Sequence, residues 1–83
     1  MKYKSTEEII HLLQERIAEE TKLDLNKLDP DIPMGAFGLD SINSIYVLEQ
    51  LENELGVELN PLMFYDYPTI RKFSSHLLSL LVQ

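Results

Sequence analysis

Apolar side chains recur at helical spacing in three stretches of this 83-residue chain, and its turn-forming residues gather in the gaps between them. Ser5-Thr6-Glu7-Glu8 has the form of a capping box, Ser5 bonding the amide of Glu8 while Glu8 reaches back. Ile9, Ile10, Leu13 and Ile17 follow, predicting a helix to about Glu20. Residues 21–40 hold two prolines, two glycines and no sustained period, which predicts a long loop. Loops of that length in compact domains are usually functional or carry short turns of their own. Leu23, Leu25 and Leu28 are expected to pin its first half, and Ile32, Met34, Phe37 and Leu39 its second.

Asp40 is placed to cap a second helix from Ser41 to about Leu55, with Gly56 at the left-handed position that ends it. Asn60-Pro61, a capping residue before a proline, opens a short helical turn carrying Leu62, Met63 and Phe64. Tyr67-Pro68-Thr69 leads into a last helix, where Ile70, Phe73, Leu77 and Leu80 share one face. Strand signals are missing apart from the brief Gly56-Val57-Glu58-Leu59. The pattern predicts an all-α, four-helix bundle: three main helices, a short third one, and a long loop between the first two. One domain spans residues 1–83 around a single core.

The second helix has two faces to explain. Ser44, Val47, Leu48, Leu51 and Leu55 form a stripe suited to packing against the first and last helices. The opposite stripe reads Ile42, Ile45, Tyr46, Glu49, Glu52 and Asn53. Either the neighbouring loop covers its large side chains, or they form a small apolar patch rimmed by acid, as a transient docking surface would.

Composition narrows the function. No cysteine is present, which excludes disulfides, a thiol nucleophile and the common zinc sites, so thiol chemistry here needs a sulfur from outside the chain. The net charge of −7 is unevenly placed. Every Lys and Arg lies at positions 2–27 or 71–72, while residues 28–70 hold Asp29, Asp31, Asp40, Glu49, Glu52, Glu54, Glu58 and Asp66. Such a field repels nucleic acid and anionic lipid and attracts basic protein surfaces. The plain alternative is a solvated acidic surface that keeps a small domain dispersed. No apolar run approaches the roughly 20 residues that span a bilayer, and Met1-Lys2-Tyr3-Lys4 lacks the apolar stretch of a signal peptide. The expectation is a cytoplasmic, monomeric domain that binds neither nucleic acid nor membrane.

An enzyme is not indicated. The imidazoles, His11 and His76, fall on the terminal helices and read as surface residues. No nucleophile-elbow, phosphate-loop or metal-ligand spacing occurs. No catalytic residue and no metal site are expected.

Ser41 is the candidate that chemistry favours. A serine at a helix start is ordinarily a cap, but Asp40 can do the capping and leave the Ser41 hydroxyl facing solvent. Unpaired amides and the positive end of the helix dipole would stabilise an attached phosphodiester by roughly 0.3–1 kcal/mol if exposed. Gly35 and Gly38 keep the preceding backbone permissive for a modifying enzyme.

Gly38-Leu39-Asp40-Ser41-Ile42 resembles the phosphopantetheine attachment motif of acyl carrier proteins. Phe64-Tyr65-Asp66-Tyr67-Pro68-Thr69-Ile70 is similar to a signature of carrier domains in modular polyketide synthases. The likeness covers nearly the whole chain and implies an acyl-carrier-like bundle. It implies a 4'-phosphopantetheine arm on Ser41, placed there from coenzyme A by a Mg²⁺-using phosphopantetheinyl transferase, with Asp40 supporting the modification. It further implies thioester-bound acyl cargo and enzyme contacts at Ile42, Ile45, Tyr46, Glu49 and Glu52. Ketosynthase, acyltransferase and other polyketide-synthase enzymes are the implied partners.

Leu39, where peptidyl carriers usually have a second glycine, and Ile42-Asn43, where fatty-acid carriers have Leu-Asp, place the resemblance nearest the polyketide type. A peptidyl carrier of a nonribosomal peptide synthetase and a fatty-acid carrier remain the near alternatives. A helical adaptor without cofactor is the distant one. Met1 fits a freestanding carrier or an excised domain alike.

Overall fold

Each predicted helix forms because its ends are satisfied locally and one face is buried. The computed structural model describes residues 3–82, so Met1, Lys2 and Gln83 of the predicted single domain lie outside the described residues. Helix α1 spans Thr6–Thr21. Ser5 Oγ accepts from the Glu8 N–H at 3.3 Å, and Glu8 Oε1 accepts from the N–H groups of Lys4 and Ser5 at 2.9 and 3.1 Å. Those bonds, the Lys4 amide foremost, hold the Glu8 carboxyl below its ordinary value. The helix closes on Lys22, whose φ of 65° is left-handed and whose N–H bonds Ala18 O at 2.8 Å. A side chain in that region costs about 1–2 kcal/mol that glycine would avoid.

Helix α2 spans Ser41–Leu55 and stops at Gly56, φ 69°, with its N–H on Glu52 O. Helix α3 is a single α-turn, Met63–Asp66. The Asn60 cap acts before it: Oδ1 accepts from the Leu62 N–H at 2.9 Å, and a turn over Pro61-Leu62, closed by the Met63 N–H on Asn60 O, leads in. Helix α4 spans Ile70–Leu81, and Thr69 Oγ1 accepts from the Lys72 N–H at 3.2 Å.

Helix α1 lies against both α4 and α2. Ile9, Leu13 and Ile17 of α1, Val47 and Leu51 of α2, and Ile70, Phe73 and Leu77 of α4 are fully buried together. Each such side chain contributes roughly 1.5–3 kcal/mol relative to exposure. Leu55 and Leu80, assigned to the same stripes, are half-buried at the rim. Phe64 stacks on Phe73, ring centroids 4.8 Å apart, and ties α3 to α4. No strand forms among the described residues, and Gly56-Val57-Glu58-Leu59 is an irregular link.

The long loop carries two 3-10 turns, Leu25–Lys27 and Met34–Phe37. Its anchors are fewer than predicted: Leu28, Met34 and Phe37 are buried and Leu39 half-buried, whereas Leu23, Leu25 and Ile32 are exposed. Leu28, at the close of the first turn, takes the inward place, its carbonyl accepting from Gln14 Nε2 at 2.9 Å, and the leucines before it stay at the surface. Backbone bonds join buried Met34 and Phe37 in holding the second half down. Met34 N–H donates to Pro68 O at 2.8 Å and Arg71 N–H to Pro30 O at 3.0 Å, with an antiparallel bridge between Pro33 and Thr69. The loop that leads to Asp40 is thus laid across the start of α4.

Candidate functional site

The site grows from the backbone between Gly38 and Ser44. Gly38 has φ 79°, which favours glycine, and turns the chain from the second 3-10 turn into the start of α2. Gly35 is different: its φ is not left-handed and a Cβ there would meet nothing within 4 Å, so its permissiveness is not used. Asp40 is extended (φ −91°, ψ −176°), and its Oδ1 accepts from the N–H groups of Ile42 at 2.9 Å and Asn43 at 2.8 Å. Its carbonyl takes the Ser44 N–H at 2.9 Å. One carboxylate oxygen therefore performs the whole cap, and Oδ2 has no partner among the described residues.

Ser41 is the first residue of α2, exposed, and its Oγ makes no hydrogen bond with any described residue. A capping serine would spend its hydroxyl on the helix. This one is spared by its neighbour, which leaves an unbonded hydroxyl on an exposed residue at the positive end of a 15-residue helix.

Beside it lies an open cleft of about 370 Å³. Pro33, Met34 and Gly35 of the loop form one wall, Ser44 and Ile45 of α2 another, and Phe64 and Tyr65 of α3 a third; Asp40 and Ser41 also border it. The chain pattern gives little sign of this cleft, because its walls come from three segments that are distant in sequence. The only linear signs are the aromatic pair in a helix too short to bury both rings, and the glycine beside buried Met34.

The outward stripe of α2 is uncovered. Ile42, Ile45 and Tyr46 are 64%, 46% and 52% exposed, and Tyr65 of α3, which lines the cleft with Ile45, is 83% exposed. Glu49 is exposed at its edge. Glu52 is half-buried, and its Oε2 accepts from the Leu59 N–H at 2.8 Å, so it is partly engaged in fastening the link after α2. Asn43 is half-buried.

Several carboxylates of the acidic middle section serve the fold. Asp40 caps, Glu52 holds Leu59, Asp29 Oδ1 accepts from the Asp31 N–H, and Glu54 accepts from the Tyr3 hydroxyl. Asp31 meets Arg71, which holds its carboxyl below the usual range and raises the guanidinium in turn. Glu49, Glu58 and Asp66 are exposed. His11 faces solvent 3.5 Å from Glu15, while His76, expected on the surface, is half-buried and stacked on Tyr67 with centroids 4.1 Å apart. Among the described residues no cluster of acids and histidines is arranged to hold a metal, and no helix is long and apolar enough to cross a membrane.

Comparison with known proteins gives a consistent picture. The family model for the phosphopantetheine attachment site matches residues 11–77. Polyketide synthase PksL of Bacillus subtilis is 36% identical over 61 residues, 74% of this chain and 1% of that protein. Non-reducing polyketide synthase nscA of Neosartorya fischeri is 34% identical over 61 residues, 74% of this chain and 3% of that protein. The chain thus spans a very small part of these relatives. Among solved structures, a free-standing peptidyl carrier protein from an uncharacterised Acinetobacter baumannii secondary metabolic pathway superimposes with a TM-score of 0.90 at 32% identity, covering 95% of this chain and 99% of that one. The HMG-ACPI domain of the CurA module of Lyngbya majuscula gives 0.88 at 23% identity over 98% and 82%, a likeness of fold alone.

Proposed function

This chain belongs to the phosphopantetheine-attachment family, and we propose that within it Ser41 bears the arm and that the cargo is a growing polyketide. Membership makes the protein a non-catalytic carrier with covalent 4'-phosphopantetheine. The arm supplies a terminal thiol for thioester-bound acyl groups, a group that a chain without cysteine lacks. The residues present suit it. The observation that carries the assignment is the Ser41 hydroxyl, exposed and unbonded while Asp40 Oδ1 does the capping. Asp40 Oδ2 is left to support the transferase, and the dipole of α2 favours the phosphodiester.

The uncovered Ile42, Ile45 and Tyr46 with Glu49 at their edge form the surface that meets the transferase and then ketosynthase, acyltransferase and related enzymes. Glu52 contributes less, since one of its oxygens is already bonded. Leu39 and the polyketide-synthase relatives support the polyketide type. The likeness to a peptidyl carrier supports a second reading, an amino-acid cargo. The test is direct: incubate the protein with coenzyme A, Mg²⁺ and a broad-specificity phosphopantetheinyl transferase, then record the intact mass. One phosphopantetheine should be gained by the wild type and none by Ser41→Ala; a gain that persists in Ser41→Ala would place the arm elsewhere. Loading of the holo protein by a polyketide acyltransferase and not by an amino-acid adenylating enzyme would separate the two cargoes.

A further inference from the structure

The segment from Asp29 to Leu39 lends Pro33, Met34, Gly35 and Leu39 to the lining of the cleft and delivers Asp40 and Ser41 to the start of α2. Among the described residues, all its hydrogen bonds to other elements end on Pro68 or Arg71. Met34 N–H is held by Pro68 O, and Pro30 O by Arg71 N–H. The Arg71 guanidinium then grips Asp31 with two prongs, Nε to Oδ1 at 2.8 Å and Nη2 to Oδ2 at 3.4 Å, while Nη1 lies 3.8 Å from Glu7 of α1. Asp31 is itself oriented, its N–H bonded to Asp29 Oδ1 at 2.9 Å. One arginine therefore joins α1, the loop and α4 at the far end of the wall from Ser41. Lys72, the next residue and a cation too, makes no such contact among the described residues.

We infer that Asp31 and Arg71 are positioning residues for the modification of Ser41: their contact keeps the loop wall, and the turn at Gly38 that ends it, in the arrangement a transferase engages. This rests on Ser41 being the attachment point. The pair lies about 40 residues apart in sequence and half or more exposed, so its effect is on the population of one loop arrangement and not on the bundle. An exposed pair of this kind shifts such a population by about two- to fivefold. A transferase that selects the held arrangement sees that shift in KM, because once bound every variant presents the same serine.

The test is a cycle of Asp31→Asn, Arg71→Gln and the double variant, all compared as intact folded proteins by circular dichroism. Transfer from coenzyme A is followed across a range of carrier concentrations. Each single change should raise KM, by no more than that roughly two- to fivefold factor, at unchanged kcat, and the double variant should match Arg71→Gln, which already removes the contact with Asp31. Amide exchange should quicken at Met34 and Gly38 and stay slow at Leu13 and Ile17. Should a neutral variant fail to fold, Arg71→Lys, which keeps the charge without the fork, gives the same comparison with a smaller rise. Unchanged KM in folded variants, effects that add in the double variant, or a fall in kcat alone would each overturn the inference. A wild type modified at Ser41 alongside any of those results leaves the attachment reading standing, whereas a wild type that gains no arm removes both.

Discussion

Helices α2 and α4 begin with the same device and put it to opposite uses. Each is preceded by an extended residue whose side-chain oxygen accepts from backbone amides of the first turn, Asp40 in one case and Thr69 in the other. At α4 the cap is buried and the next residue, Ile70, is fully enclosed, so the helix start is part of the core. At α2 the first helical residue, Ser41, is exposed, and its cap borders an open cleft. The same local chemistry that seals one helix into the bundle holds the other open at its first turn. A cap therefore says where a helix starts, and the following side chain says what the start is for.

That contrast can be broken at the following residue first. Ile70→Ala should cost about 2–5 kcal/mol, read from urea midpoints, because a fully buried side chain is removed. Ser41→Ala should stay within about 0.5 kcal/mol of wild type while abolishing modification. If the two variants lost similar stability, the two helix starts would not differ as described.

The caps themselves should be alike in energy and unlike in consequence. Thr69→Ala and Asp40→Ala should each cost about 1 kcal/mol by thermal melting. Only Asp40→Ala should also slow phosphopantetheine transfer when both proteins are fully folded.

Acid sharpens the comparison further. The Asp31 carboxyl sits below its ordinary value of 3.8 because Arg71 donates to it, and Glu8 sits below 4.5 because the Lys4 amide does. Groups depressed in the folded state add stability that is complete above their unfolded values and disappears as pH falls through their folded ones. The stability these two groups add should thus be level above about pH 5 and decline below about pH 4, with Asp31→Asn flattening part of the decline. The smallest effect belongs to Tyr46→Ala, within about 0.5 kcal/mol for so exposed a ring, measured alongside partner turnover, which should fall.

Most of the helical frame is legible in the sequence because caps and periods are local. Ser5 with Glu8, Asp40 with Ile42, Thr69 before Ile70 and the stripe Val47, Leu48, Leu51 can all be read within a few residues. What escapes is set by partners far along the chain. Leu23, Leu25 and Ile32 are exposed and Leu28 buried, a distinction no period marks in a loop. Glu52 spends an oxygen on Leu59, seven residues on, and the cleft beside Ser41 needs three separate segments to exist. The outward patch at Ile42, Ile45 and Tyr46 is readable, since helical spacing fixes opposite faces together. Its neighbour Tyr65 lies beside it only because of where α3 docks.

The strap of Pro30, Asp31 and Met34 across Pro68 and Arg71 also imposes an order in time. It closes a ring of about 40 residues that contains all of α2, so its closure entropy is met late, after the local helices have formed. A chain made from its N-terminus at roughly 5–20 residues per second releases Arg71 some seconds after Ser41. For that interval the serine exists without its finished surroundings, and the loop before it is fastened only once the start of α4 has been made.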